Sequence, residues 1–285
     1  MSTASPSLDD LRRRIDQLDE AMHDALIHRA EIVAAIGRLK KADATPPLRP
    51  GREAQILRRL VARHRGPFPR PVLVRLWREL LSGTIAMQAE LQIAVFASAS
   101  ASGLWDLARD HYGSHVAMAS FRSTGEVVGA VKDGRATLGI LPLPEQGEAE
   151  SWWRLLMHGD ALKPRVIARL PFGGRGNARP EGGDALVIGM IEPEPSGADR
   201  SLYIFETDPE LSRTRLLAAL NSAALGASLL ASSGTAQLVE FGDWIAPEAP
   251  RLKAALTSLA GKVEQATSLG FYAQPLSAVE LAGAQ

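Results

Sequence analysis

A positively charged side chain interrupts an apolar stripe in the first forty residues. Apolar residues recur there in steps of three and four, as on one face of a helix: Leu11, Ile15, Leu18, Met22, Ala25, Ile32 and Ile36. Arg29 occupies the position where the next apolar residue is expected. Because arginine keeps its charge, burying it costs several kcal/mol unless an anion binds it. The pattern therefore predicts an anion beside Arg29.

Two further cations of this helix bear on the same site. Lys40 follows Arg29 by eleven residues, so both side chains leave the helix on nearly the same side. Arg12 precedes Arg29 by about 26 Å along the helix axis, too far for one small molecule to contact both in one chain. An antiparallel copy of the helix would bring the partner's Arg12 towards Arg29 and Lys40. We therefore expect a homodimer with shared sites.

Polar residues on two later helices suit the same pocket. Arg52 and Glu53 begin the second helix, and Thr84 and Gln88 lie four residues apart on the third, so both can face one interior. Cations, one carboxylate and one amide would suit a small dianion that carries a hydroxyl group. The simpler interpretation is that the cations are surface residues and that Glu53 is a first-turn acid favoured by the helix dipole.

Composition narrows the class of protein. The 285 residues have zero formal net charge, which gives no general electrostatic case for nucleic acid. Residues 1–91 hold 16 Lys and Arg against 11 Asp and Glu, whereas the remainder holds 16 against 21. Cysteine is absent, which excludes disulfides and thiolate chemistry. No signal-peptide pattern or apolar run of membrane-spanning length occurs, so we expect a cytoplasmic protein without a membrane partner.

The chain divides into three predicted domains. Helices over residues 8–41, 51–65 and 72–91 form an all-α domain, residues 1–91, and the first of them is about 50 Å long. Alternating strands and helices over residues 92–195 predict an α/β domain with a parallel or mixed sheet. Residues 196–285 show the order βαββαβ of a ferredoxin-like α+β unit. The fold class is therefore multidomain, and the first helix is long enough to need a partner.

The helical segment resembles the all-helical chorismate mutases of the AroQ class, as found at the N-terminus of bifunctional chorismate mutase/prephenate dehydratases. The resemblance covers residues 8–91 and rests on the following segments: residues 11–19, Arg29, residues 37–40, residues 49–57, and Thr84 with Gln88. It implies an intertwined dimer that rearranges chorismate to prephenate. The sequence departs from the family in lacking an acid at residues 49–51 and in having threonine rather than serine at position 84.

The resemblance also implies a role for each residue. Arg29 and the partner's Arg12 would hold the two substrate carboxylates, and Lys40 and Gln88 would donate to the ether oxygen as its bond breaks. Glu53 would accept the substrate hydroxyl, and Arg52 and Thr84 would line the site. A pericyclic rearrangement needs a bound reactive conformer and placed donors, so no cofactor and no metal is expected.

Residues 92–275 resemble a shortened prephenate dehydratase region followed by an ACT-like regulatory domain. The dehydratase Thr-Arg-Phe motif is missing near residues 184–188, and residues 170–186 are too few for the family's second lobe. We therefore expect no dehydratase activity and doubt feedback by phenylalanine. Two alternatives remain open, namely a bifunctional chorismate mutase/prephenate dehydratase and a non-catalytic dimer that binds a metabolite of aromatic amino acid biosynthesis.

Overall fold

The computed structural model describes residues 6–42, 46–148, 150–157 and 163–283, without the side chains of residues 40–42. Its first three elements are helices. They are α1 (Leu8–Ala42), α2 (Pro50–Arg63) and α3 (Arg70–Ala86). Ser7 and Asp10 cap α1 by mutual hydrogen bonds, and prolines occupy the first turns of α2 and α3, where no amide donor is needed. The all-helical prediction is confirmed, although α3 ends five residues earlier than expected.

The apolar stripe of α1 is exposed in the single chain. Its large members Leu11, Ile15, Leu18, Met22, Ile32 and Ile36 are each more than 40% exposed. Few monomeric proteins leave so long an apolar face in water, because burial of such side chains is a main stabilising contribution to folding.

The rest of the chain forms one nine-stranded sheet with helical cover. The strands are β1 (Gln92–Phe96), β2 (Ala117–Phe121), β3 (Leu138–Pro142), β4 (Arg165–Leu170), β5 (Ala185–Gly189), β6 (Asp199–Thr207), β7 (Ala227–Ser233), β8 (Ala236–Phe241) and β9 (Val263–Ala273). The helices are α4 (Gly103–Tyr112), α5 (Thr124–Lys132), α6 (Arg213–Ser222), α7 (Pro250–Ser258) and α8 (Ala278–Ala282). The order across the sheet is β2-β1-β3-β5-β4-β9-β6-β8-β7.

The two halves of the sheet differ in direction. Strands β1, β2 and β3 are parallel, with α4 and α5 as connections, whereas β5 runs antiparallel to both β3 and β4. From β6 to β9 the chain is βαββαβ, and its strands lie in the order β9-β6-β8-β7 with antiparallel pairing. This is the ferredoxin-like arrangement that the sequence predicts.

The sheet continues across the predicted boundary at residue 195. Strand β4 pairs with β9 in parallel at Val166 and Gly270. Gly270 has a φ of +120°, and a Cβ there would lie 2.2 Å from the carbonyl oxygen of Val166. Glycine is therefore required where the two halves of the sheet join. The division of residues 92–285 into two domains stays a prediction.

The inner sides of α2 and α3 pack against the sheet and the C-terminal segment. Their buried residues Ala54, Leu57, Val61, Val74 and Leu81 form one apolar cluster with Phe172, Ala273 and Leu276. Arg58 of α2 donates hydrogen bonds to the Ser196 hydroxyl and to a backbone carbonyl on each of two segments, those of Ala198 and Gln274. In the part of the chain that the structure describes, no helix is long and apolar enough to span a membrane.

Candidate active site on the helical segment

Helix α1 contacts α3 at Arg29. The guanidinium carbon of Arg29 lies 5.8 Å from the centre of the Trp77 ring, within the range of a cation–π contact. Arg29 is half-buried, and burial lowers its pKa from the usual arginine value without removing its charge. Trp77 was not among the predicted site residues. Its spacing could have revealed it, because Trp77 precedes Thr84 by seven residues and Gln88 by eleven and so shares their face of the helix.

Gln88 lies beside α1 in the turn that follows α3. Its Nε2 donates to the carbonyl oxygen of Thr84 at 3.0 Å and keeps a second hydrogen for another acceptor. Its Oε1 is buried and has no hydrogen-bond partner among the described residues. A Cβ on Gly37 would lie 3.1 Å from Cγ of Gln88, so α1 approaches Gln88 closely there. Lys40 follows Gly37 by one helical turn, but its side chain lies outside the described residues.

Glu53 has a partner that the sequence analysis missed. Nη1 of Arg78 donates to Oε2 of Glu53 at 2.8 Å, and both side chains are buried between α2 and α3. Burial raises the pKa of Glu53, and the charge and hydrogen bond of Arg78 oppose this shift. Arg78 could have been found by the signal that singled out Arg29, because it is a cation among the apolar residues of its helix face. The contact of Glu53 with a substrate hydroxyl stays a prediction.

The remaining predicted residues lie apart in the single chain. Arg12 is exposed and lies 3.4 Å from Asp9, and Arg52 is exposed and donates weakly to Gln55 at 3.4 Å. The Thr84 hydroxyl donates to the carbonyl oxygen of Leu81. The single chain therefore brings Arg29 and Gln88 to the contact of α1 with the end of α3, and does not bring Arg12 there.

The absence of an acid at residues 49–51 has a structural reason. Nε of Arg49 donates to Glu194 at 2.7 Å, and its Nη2 donates to the other carboxylate oxygen. A Cβ on Gly51 would lie 2.2 Å from the carbonyl oxygen of Glu194. Residues 49–51 therefore pack against the loop before β6, where Arg49 pairs with Glu194 and the space beside Gly51 admits no side chain.

Residues 11–89 match the family model for chorismate mutase type II. They form a chorismate mutase domain. The chain is also 30% identical over 143 residues to the bifunctional chorismate mutase/prephenate dehydratase of Stutzerimonas stutzeri, a match that covers 48% of this chain and 39% of that protein. The Neisseria gonorrhoeae protein of the same name is 37% identical over 94 residues, covering 32% of this chain and 25% of that protein. The chain thus matches less than half the length of these relatives.

Two solved structures overlap with part of the chain. The prephenate dehydratase of Arthrobacter aurescens in complex with L-Phe has a TM-score of 0.47 and 13% identity, and covers 66% of this chain and 93% of that one. A structure titled GqqA, a novel type of quorum quenching acylases, has a TM-score of 0.43 and 20% identity, and covers 66% of this chain and 97% of that one.

A cleft lies away from the chorismate mutase domain, at the carboxyl ends of β1, β2 and β3. It has a volume of 560 Å³ and carries three carboxylates against one guanidinium, those of Glu145, Glu148, Glu150 and Arg122. Burial raises the pKa of Glu148, whose carboxylate accepts a hydrogen bond from Trp153. The excess of negative charge makes this cleft a poor site for a dianion.

Proposed function

We propose that the chorismate mutase domain rearranges chorismate to prephenate. In this reaction one C–O bond breaks and one C–C bond forms within the same molecule, so no proton needs to be transferred. The protein contributes a bound reactive conformer and donors at the ether oxygen, which gains negative charge as its bond breaks. The observation that carries the proposal is the contact of α1 with α3, where Arg29 and Gln88 lie in a segment matched by the chorismate mutase family.

Each predicted residue keeps the role that the resemblance implies. Arg29 and Arg12 of the partner subunit bind the two carboxylates, while Lys40 and Gln88 donate to the ether oxygen. The second N–H of Gln88 supports its part, because it has no acceptor among the described residues and the other hydrogen of that amide is donated to Thr84. Arg52 and Thr84 line the site, and Glu53 accepts the substrate hydroxyl through the carboxylate that Arg78 also binds.

The active form that we propose is a homodimer in which α1 pairs with α1 of the other subunit. Two features support it: the exposed apolar stripe of α1 and the distance between Arg12 and Arg29 along one helix. An isologous pair would bury both stripes and complete two equivalent sites. A cytoplasmic location accompanies this proposal as a prediction.

Direct assays distinguish the three functional hypotheses. The purified chain should consume chorismate and release prephenate. The loss of chorismate is measured by its ultraviolet absorbance. Formation of phenylpyruvate would instead support the bifunctional enzyme, and binding of chorismate without turnover would support a non-catalytic dimer. We expect no phenylpyruvate, since the 560 Å³ cleft is acidic and residues 171–184 form no helix or strand of a second lobe.

Mixed dimers test the shared site. Arg12→Ala and Arg29→Ala should each abolish most activity, because every site in either homodimer lacks one carboxylate-binding arginine. Coexpression of the two variants should recover about a quarter of the wild-type activity, since about half of the dimers are mixed and each mixed dimer has one intact site. If coexpression recovers nothing while the dimers do mix, Arg12 does not act across the interface.

A further inference from the structure

A cavity of 340 Å³ lies on another side of α3, between α3, α4, the loop that follows β4, and α8. Its walls are mostly apolar and include Val72, Val74, Leu107, Phe172 and Leu281. This volume falls at the lower end of the range for small-molecule sites. Apolar walls of this kind favour a ligand with an apolar body.

Arg78 is the polar group of this cavity with unused donors. The residue is only 4% exposed, and its one hydrogen bond in the described part of the chain runs from Nη1 to Glu53. Its Nε is buried without an acceptor among the described residues. The hydrogen bonds of the described residues include none from Nη2, since Arg78 donates to Glu53 through Nη1. A buried donor without an acceptor is unfavourable, so this edge of the guanidinium favours an acceptor from outside the chain.

The edge of the Arg78 guanidinium formed by Nε and Nη2 has the geometry that this chain uses elsewhere to bind carboxylates. Arg49 binds Glu194 through Nε and Nη2, and Arg179 binds Asp106 through the same two atoms, with Nε distances of 2.7 Å in both pairs. A carboxylate accepts two parallel hydrogen bonds from this edge. The two free donors of Arg78 therefore specify a carboxylate.

The neighbouring charges limit the ligand to one negative charge. Arg75 pairs with Asp110 by two hydrogen bonds, and Glu53 already occupies Nη1 of Arg78. Burial and the charge of Arg78 lower the pKa of His111 well below its usual value, so its ring is neutral at neutral pH. A dianion would be repelled by the carboxylates of Asp110 and Glu53 without a further free cation to compensate.

We propose that this cavity binds a small organic monocarboxylate, with its carboxylate on Nε and Nη2 of Arg78 and its apolar body against Phe172. The site is separate from the one proposed for chorismate. The two are linked by position, because Arg78 follows Trp77 in α3 and pairs with Glu53 of α2.

Isothermal titration calorimetry of the full chain with 3-phenylpropanoate tests this proposal. We expect saturable binding of one molecule per chain. The neutral isostere 3-phenylpropanamide should bind at least tenfold more weakly, because it cannot accept two charge-assisted hydrogen bonds. The absence of saturable binding, or equal binding of the amide, would overturn the proposal. The unpaired Nε of Arg78 would then be explained by a water molecule that accepts its hydrogen bond in the adjoining space of 10 Å³ beside Ala54 and Ala273.

Variants locate the binding. Val72→Trp should fill the cavity and weaken binding at least tenfold, whereas Val279→Trp, on the exposed side of α8, should not change it. Arg78→Lys keeps a cation for Glu53 and loses the planar edge, so it should also weaken binding at least tenfold. Arg29→Ala should leave the affinity unchanged. Loss of binding in Arg29→Ala but not in Val72→Trp would assign the probe to the chorismate site and refute the cavity.

Discussion

Two neighbouring residues of α3, Trp77 and Arg78, have opposite surroundings. Trp77 shares a face with Thr84 and Gln88 and contacts α1, where polar atoms of the described chain remain available. Arg78 lies on the face that packs against α2, α4 and the sheet, beside the carboxylate of Glu53. The comparison separates two uses of buried polarity: one face carries the donors that we propose bind the substrate, and the other joins the helices to the rest of the molecule.

The largest effect is expected from Arg78→Met. This change leaves the buried Glu53 carboxylate without its partner and should destabilise the chain by about 3–5 kcal/mol at pH 7. The melting temperature measures this loss. The double variant Arg78→Met/Glu53→Gln should recover part of it, because no unpaired charge remains. Equal stability of the single variant and the wild type would mean that the ion pair contributes no net stability.

The loss in Arg78→Met should depend on pH. Burial already raises the pKa of Glu53 above the ordinary glutamate value of 4.5, and removal of Arg78 raises it further. The folded state then holds the proton more tightly than the unfolded chain, so stability falls as the pH rises from about 4.5 to the folded pKa and is constant above it. The variant should therefore be closer to the wild type at pH 5 than at pH 7.

The second prediction concerns the face that we propose binds the substrate. Gln88→Ala should lower kcat by about a hundredfold to a thousandfold with little change in melting temperature, because it removes a donor at the ether oxygen. Gln88→Glu is the informative control. Its activity should rise as the pH falls, since only the protonated carboxyl can donate a hydrogen bond. A loss of stability as large as that of Arg78→Met would contradict the distinction between the two faces.

A smaller effect is expected from Trp77→Leu. The change removes the aromatic face beside Arg29, a contact of about 0.5–2 kcal/mol, and should raise KM by roughly twofold to thirtyfold. Trp77→Phe retains an aromatic ring and should lie closer to the wild type. Steady-state kinetics with chorismate measure both variants. An unchanged KM in Trp77→Leu would show that Trp77 does not position Arg29.

The smallest effect is expected from Thr84→Ser. Serine can donate the same hydrogen bond to the carbonyl oxygen of Leu81, so kcat/KM should stay within about twofold of the wild type. Thr84→Val removes the hydroxyl at nearly constant volume and serves as the control. If Thr84→Ser loses as much activity as Thr84→Val, the methyl group of Thr84 matters as much as its hydroxyl.

The local pattern of apolar and polar residues predicts most of the helices and strands. The helices predicted over residues 8–41, 51–65 and 72–91 correspond to α1, α2 and α3, and the βαββαβ order predicts the ferredoxin-like unit. Arg29 was recognisable because a fixed charge on an apolar stripe is visible in sequence. Thr84 and Gln88 were recognisable because their spacing places them on one face.

Contacts between distant segments could not be predicted in the same way. The pairs Arg49–Glu194 and Glu53–Arg78, and the junction of β4 with β9, join residues far apart in the chain. Periodicity indicates that a side chain is buried, but it does not identify what lies opposite. The pairing of Arg78 with Glu53 was missed for this reason. Burial of Arg78 itself could have been predicted, because it is a cation among the apolar residues of its helix face.

The apolar cluster shared by α2, α3 and the C-terminal segment bears on how the protein can be dissected. Residues matched by the chorismate mutase family end at position 89, but the packing that covers Leu57, Val61 and Leu81 comes from Phe172, Ala273 and Leu276. A fragment cut at that position would expose these side chains to water. The segment defined by homology is therefore not an independent unit for excision, and transferring it to another protein would require a redesigned inner surface.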